Sequence, residues 1–256
     1  MKNSNKSTHK TNIIRCFNKA ANTYDIHSNI QQQVGCKLIA LIDTTQAQPI
    51  NIIDLGCGSG FITEKLAIKY KYSNFHAIDI ADRLLLEAKK RLSAYPIKID
   101  ENDFDEFDNN DSLFDLVFSN MALQWSIDLN STLLRIHKNM SEGGIIAIAL
   151  PLEGTYSELA VQSRNQFHTE SFIANLFDQC GFKKINYSVE YLTAHYDSWM
   201  TAIKTVKATG ANYVFKKSTN ALYSNSYLYK LIKSHQTMSN PVSLTYHIGY
   251  FIAMKK

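Results

Sequence analysis

The sequence predicts an α/β fold with a doubly wound, mostly parallel sheet, and three observations carry that expectation. A β-branched apolar run, Ile50 to Asp54, ends in a turn with glycines at 56, 58 and 60, and a helical pattern follows. Behind it, short apolar strands alternate with helical stretches through Leu150. Two longer stretches of alternating Tyr, Val, Ile and Phe, Lys184 to His195 and Ser243 to Met254, then read as an antiparallel pair at the sheet edge.

A chain of 256 residues that is 45% apolar suits one such domain with an elaboration. Residues 1–12 are polar and basic without an apolar core, so they read as a disordered tail and neither a secretory signal nor an anchor. Cys16, Cys36, Cys57 and Cys180 form no C-x-x-C pair, and the eight histidines show no ligand spacing. The expectation is therefore no metal, no disulfide and a reducing cytoplasm. Charge is divided unevenly: residues 1–180 carry 17 Lys and Arg against 21 Asp and Glu, whereas residues 181–256 carry 10 Lys against two acids. A basic last third suits an acidic partner, though many of these lysines would simply be solvated.

Taken in order, Ile13 to Leu41 shows helical spacing on two successive faces, and the polar join Thr44 to Pro49 leads into the first strand. Residues 13–45 are thus expected to cover the sheet, with Tyr24 folded back over the glycine turn or packed in the core. A helix after the glycines leads to a second strand, Asn74 to Ile80, a helix from Arg83 to Leu92 and a third strand, Ile97 to Asp100. The fourth strand, Leu113 to Ser119, is followed by Ser119-Asn120-Met121-Ala122-Leu123-Gln124-Trp125, where ligands bind in an open parallel sheet. A helix from Asp128 to Met140, a Gly143-Gly144 turn and the strand Ile145 to Leu150 complete the parallel part. Thr169 caps a helix that Gly181 ends. Residues 196–241, too long for a hairpin loop and helical in pattern, read as a lid over the carboxyl edge. The sheet then has seven strands, with the last antiparallel and 13–256 forming one domain.

The turn is a nucleotide-type cradle, because glycines let the backbone approach a ligand and the next helix presents free amides. Its spacing is not that of a dinucleotide site, where a third glycine would replace Phe61, and no Gly-Lys-Ser/Thr of a Walker loop is present. Asp54 would repel a pyrophosphate but suits a cationic ligand. Asp79, about twenty residues past the glycines, has the usual place of an acid that accepts both ribose hydroxyls. Asp103 stands at the end of the third strand. Three acids at three successive strand ends favour a sulfonium nucleoside over a phosphate.

On these residues the DLGCGSG segment resembles the first motif of class I S-adenosylmethionine-dependent methyltransferases, a Rossmann-like class. The resemblance implies that Asp54 lies near the methionine part of the cofactor, that Asp103 meets the adenine amino group and that Phe104 packs on the ring. The cofactor residues implied are Tyr24, Asp54, Gly56, Gly58, Ser59, Gly60, Asp79, Ile80, Asp103, Phe104, Ser119 and Asn120. Methyl transfer from a sulfonium needs alignment and dryness rather than an acid or base. No nucleophile elbow or paired carboxylates are evident.

A narrower resemblance rests on FNKAANTYDIHSNIQQQVG, SNMALQW, WMTAIKTVKATGAN and PVSLTYHIGYFIAMKK, which together look like the malonyl-[acyl-carrier protein] O-methyltransferases of biotin synthesis. It implies methylation of the free carboxylate of a malonyl thioester, held by a cation. Lys204 and Lys207, three residues apart, are the candidates, although that family often has arginine where Lys204 stands. Tyr24, Gln124, Trp125, Tyr246 and His247 are the other candidates for the substrate end, each with a core-packing alternative. The acyl-carrier protein is the expected partner of a monomer that binds neither nucleic acid nor membrane. A methyltransferase for another small acid such as trans-aconitate, and a non-methylating assembly factor with the same pocket, remain competing readings.

Overall fold

The computed structural model of the protein describes residues 2–45, 47–109, 113–159, 165–211 and 241–256, with the side chains described from residue 8 onward. Three helices come first: α1 (Lys2–Ala20), the short α2 (Tyr24–His27) and α3 (Asn29–Ile42). Alternation then begins with β1 (Asn51–Leu55), α4 (Phe61–Lys69), β2 (Asn74–Asp79), α5 (Asp82–Arg91), β3 (Ile97–Glu101), β4 (Phe114–Asn120), α6 (Leu129–Lys138) and β5 (Met140–Pro151). The last elements are α7 (Glu170–Gln179), β6 (Phe182–Tyr196), α8 (Trp199–Ala208) and β7 (Val242–Lys255).

The strands form one seven-stranded sheet in the order β3-β2-β1-β4-β5-β7-β6. Neighbours from β3 to β5 are parallel, whereas β7 enters between β5 and β6 and is antiparallel to both. The chain order reverses on the two sides of β1, so the carboxyl edge opens a crevice between β1 and β4. Each face of the sheet carries its own apolar layer. One contains Val34, Leu38 and Ile42 of α3 with Ile62 and Leu66 of α4; the other contains Ile13 of α1 with Leu133, Ile136, Ile173 and Phe177 of α6 and α7. Because the strands are buried on both sides, they read as near-continuous apolar runs.

Two expectations are corrected. Residues 2–12 are helical where a disordered tail is expected, because Ile13 is buried and the Lys10 ammonium is tied to Asp103 and Asp105, each at 2.8 Å. Gly143-Gly144 is no turn before a strand but a stretch inside β5. The pairing with β4 shifts register there between Phe114 and Leu116, and a side chain at 144 would press on the carbonyls of Ser141 and Phe114. The cap expected at Thr169 forms, and Asp128, expected as the first helical residue, is instead the cap of α6; each accepts a backbone amide of the first helical turn. Of the lid expected over 196–241, α8 is described, while residues 212–240 lie outside the described residues.

The cover is fitted closely to the sheet. Glu190 of β6 accepts hydrogen bonds from Lys37 of α3 and from the Tyr250 hydroxyl. Gly35 of α3 leaves no room for a Cβ, which would lie 2.6 Å from Ile62 and 2.9 Å from the Asn120 amide nitrogen. Gly35→Val should therefore destabilise the protein by about 1–3 kcal/mol, the usual effect of overpacking. Urea unfolding measures it, and an unchanged midpoint would show that α3 relaxes away freely.

Candidate cofactor and substrate site

Local backbone chemistry builds the centre of the site. After β1 the chain needs three left-handed residues, Gly56 (φ 78°), Gly58 (φ 57°) and Gly60 (φ 78°), a conformation that L side chains resist. Gly56 also packs against Ala122 of the loop after β4, whose Cβ would be 2.3 Å from a Cβ at 56. Above Gly58 lies the Tyr24 ring, its atoms 3.8 to 3.9 Å from where a side chain at 58 would begin. The cover thus folds back over the glycine turn, one of the two fates open to Tyr24.

The acids come next. Asp54 is 2% exposed and accepts a hydrogen bond from the Thr63 hydroxyl at 2.6 Å. Burial pushes its pKa up to about 7, against the lowering effect of Thr63, with the Asp79 charge adding to the rise. Asp79 accepts the Gly58 and Ala81 amides, both at 2.8 Å, which ties the end of β2 to the glycine turn. Its pKa is also raised by burial, despite those amides. The Tyr24 hydroxyl titrates far above its ordinary range, chiefly through burial and then through the charges of Asp79, Asp25 and Asp54 around it.

Asp103 is engaged differently. The Lys10 ammonium pairs with it and lies 4.7 Å from the centre of the Phe104 ring, so α1 closes the adenine end expected from the sequence. Beside this contact runs a 640 Å³ cleft lined by Lys10, Asp103, Asp105 and the start of α6. Ser119 directs its hydroxyl to the Leu55 carbonyl at 2.8 Å, bracing β4 on β1, and Ile80 is half-buried just past β2.

The loop after β4 offers two buried acceptors. Asn120 donates to the Gln31 carbonyl and Gln124 to the Met121 carbonyl, leaving Asn120 Oδ1 and Gln124 Oε1 buried with no partner among the described residues. Met121 between them holds φ at 53°, a strained value that re-aims the loop. Trp125 is 5% exposed and meets the Phe17 ring edge-on at 5.7 Å, so it packs the cover onto the loop.

The structure separates Tyr246 from His247. Successive residues of β7 face opposite sides of the sheet. Tyr246 is buried with Tyr156, ring centres 4.8 Å apart, and shares hydrogen bonds with Tyr156 and Tyr196. His247 instead bonds the Glu153 carbonyl at 2.7 Å and stacks on Tyr191. The two therefore cannot grip one carboxylate together. Lys204 and Lys207 are both exposed; Ala202 is the buried residue of α8, with Trp199 and Val206 packed beside it, so Lys204 lies away from the inner face.

Several contributors escape the sequence analysis: Lys10, Asp25, Thr63, Arg91, Tyr156 and Tyr196. For Thr63 the signal was available, one helical turn into α4 and facing the strand that carries Asp54. Tyr156 gave none, since its φ of 58° follows from the loop that Gly154 opens.

A family model described as a methyltransferase domain matches residues 47–206. Among solved structures, the YcgJ protein from Bacillus subtilis superposes with a TM-score of 0.62 at 13% identity, over 86% of this chain and 97% of that one. The magnesium protoporphyrin IX methyltransferase from Synechocystis PCC 6803, solved with bound S-adenosylmethionine, superposes at 0.52 and 12% identity over 88% and 79%. At these identities the likeness is one of fold. Fold, turn and family model together define a Rossmann-like S-adenosylmethionine-dependent methyltransferase.

Among curated relatives, malonyl-[acyl-carrier protein] O-methyltransferase 2 of Coxiella burnetii (strain RSA 493 / Nine Mile phase I) is 33% identical over 96% of both chains. A malonyl-[acyl-carrier protein] O-methyltransferase of Serratia marcescens is 23% identical over the full length of both. This chain belongs to that family of O-methyltransferases.

The residues present fit the cofactor: a glycine cradle under Tyr24, the buried Asp54 and half-buried Asp79 without a cation bonded to either among the described residues, and two unpartnered acceptors at and just past the end of β4. Asp54 links this fit to pH. Its folded pKa lies above the unfolded one, so its contribution to stability is full below about pH 4 and is lost as pH rises through about 7. Asp54→Asn should leave the cofactor-free protein at least as stable as wild type at pH 8. It should also weaken binding of S-adenosylmethionine by roughly 10- to 100-fold, the range for a lost charged contact. Thermal melts and calorimetric titration at pH 6 and pH 8 check both, and undiminished affinity would remove Asp54 from the site.

Proposed function

We propose that this protein methylates the free carboxylate of malonyl-[acyl-carrier protein] to its methyl ester, an early step of biotin synthesis. The observation that carries the proposal is the 33% identity, over 96% of both chains, with a relative named for that activity. The cofactor, when bound, supplies a methyl already activated on a sulfonium. A malonyl carboxylate is ionised near neutral pH, so the protein has to align it and exclude water rather than deprotonate it.

The tyrosine cluster supports this reading. Tyr156, Tyr196 and Tyr246 gather beyond the carboxyl end of β5, one strand from Asn120, and burial keeps their hydroxyls protonated. Phenol hydroxyls held in this way can donate to a carboxylate without neutralising it. Lys204 and Lys207 are the proposed cations at the outer end, where exposure suits contact with a carrier protein as well as with the malonyl group. An acidic carrier protein complements the basic last third of the chain, and its prosthetic arm would deliver malonyl beside α8. The proposal is of a monomer acting on this carrier and not on nucleic acid; among the described residues no helix is long and apolar enough to cross a membrane.

The test offers purified protein S-adenosylmethionine with malonyl-carrier protein, malonyl-coenzyme A and trans-aconitate in parallel, read by mass spectrometry. Methyl ester on malonyl-carrier protein is the expected product. Methylation of trans-aconitate alone would move the substrate, and binding without turnover would point to the non-methylating class. In the active protein, Tyr246→Phe should lower kcat/KM for the malonyl substrate roughly tenfold, as for one hydrogen bond to a charged group. An unchanged ratio would return the tyrosines to core packing.

A further inference from the structure

The short helix α2 presents a puzzle of attachment. It has four residues, none of them buried, and Ile26 on it is 72% exposed. Apolar contact is limited to the half-buried Tyr24 ring, which packs at the edge of Ala21, Ala81 and Leu84. The polar bonds of the next residue add the fastening: the Asp25 carboxylate accepts from the Ser59 hydroxyl with one oxygen and from Arg91 Nη2, at 2.6 Å, with the other. The Asp25 carbonyl accepts in addition from the Gln32 side chain at 2.9 Å, which fixes α2 to α3.

Arg91 completes the fastening. It is the last residue of α5, and its guanidinium lies 5.3 Å from the centre of the Phe61 ring, the first residue of α4. Close by, the end of α5 is pressed against the turn, since a side chain on Gly60 would meet Leu92 at 3.0 Å and Ala88 at 3.2 Å. One ion pair thus joins α2, the glycine turn, α4 and α5. Arg91 Nη1 is buried without a partner among the described residues, so the geometry is not the one that stability alone would select.

We infer that Asp25 and Arg91 are positioning residues for the cofactor, holding Tyr24 and Ser59 against the glycine turn in the arrangement that binds S-adenosylmethionine. Asp25 supplies the acceptor that fixes the Ser59 hydroxyl within the turn. Arg91 offsets the Asp25 charge, which otherwise stands close to Asp54 and Asp79 around Tyr24. The pair acts through Tyr24 and the turn and touches no reacting atom. This inference concerns the cofactor half of the site and stands whichever acid is methylated.

The experiment combines calorimetric titration with S-adenosylhomocysteine, melting of the free protein, and steady-state kinetics for each substrate. Asp25→Asn and Arg91→Met should each raise the dissociation constant and the KM for the cofactor roughly 5- to 20-fold, the scale of one charge-assisted hydrogen bond. The melting temperature of the free protein and the KM for the methyl acceptor should stay near wild type. Arg91→Lys, which keeps the charge but not the fork, should fall between Arg91→Met and wild type. In a Tyr24→Ala background, Asp25→Asn should add little, because its lever is gone. A lowered melting temperature with unchanged cofactor affinity would overturn the inference in favour of plain scaffolding. So would full additivity with Tyr24→Ala. Should Asp25→Asn not fold, Arg91→Lys decides alone: intermediate affinity supports the inference and wild-type affinity overturns it.

Discussion

The backbone of the β1–α4 turn is the constraint on which the rest of this structure depends. Gly56 is pressed by Ala122 from the loop after β4, Gly58 lies under Tyr24 from the cover, and Gly60 rests on Ala88 of α5. All three residues hold positive φ. Any side chain here would be strained in its own backbone, and at Gly56 and Gly60 it would also collide with a neighbour. Three separate parts of the chain take their register from one point where no side chain exists. The cleft is therefore shaped by backbone approach, and side chains only finish it.

Charge explains why such a tight centre is not simply a core. Asp54 is held by the Thr63 hydroxyl and Asp79 by the amides of Gly58, Ile80 and Ala81, and burial raises both of their pKa values. In the free protein they are costly groups. A positively charged ligand reverses that sign, because Coulomb attraction grows in the same poorly solvated space that penalised the lone acids. Elsewhere ion pairs fasten the cover: Lys10 of α1 meets Asp103 and Asp105 at one end, and Asp25 of α2 meets Arg91 of α5 near the other. Acids paired in this way set how the cover lies on the sheet, and acids without a cation leave a vacancy of charge for the cofactor.

Much of this was legible in the sequence for identifiable reasons. The strands of the parallel sheet are apolar on both faces, so their runs stand out, and the glycine turn and the acids at strand ends follow from backbone needs that spacing records. What sequence reasoning missed depends on contacts between distant segments. Nothing near Lys10 predicts that it reaches residues 103 and 105, so a helix looked like a polar tail. The Gly143-Gly144 pair has the composition of a turn, and only the pairing of β5 with β4 reveals a register shift within one strand. Tyr246 and His247 are neighbours in sequence, but the two-residue period of β7 places them on opposite faces. That period was available and should have divided them. Tyr156 depends on a left-handed residue in a loop, which no pattern announces.

Asp54, pushed up to about 7 by burial, should lose its proton when a cation arrives beside it. Calorimetric titration of S-adenosylmethionine at pH 7 in two buffers of different ionisation enthalpy measures this directly. The binding heat should depend on the buffer, reporting proton release, and Asp54→Asn should abolish the dependence. A heat identical in both buffers for the wild-type protein would contradict it.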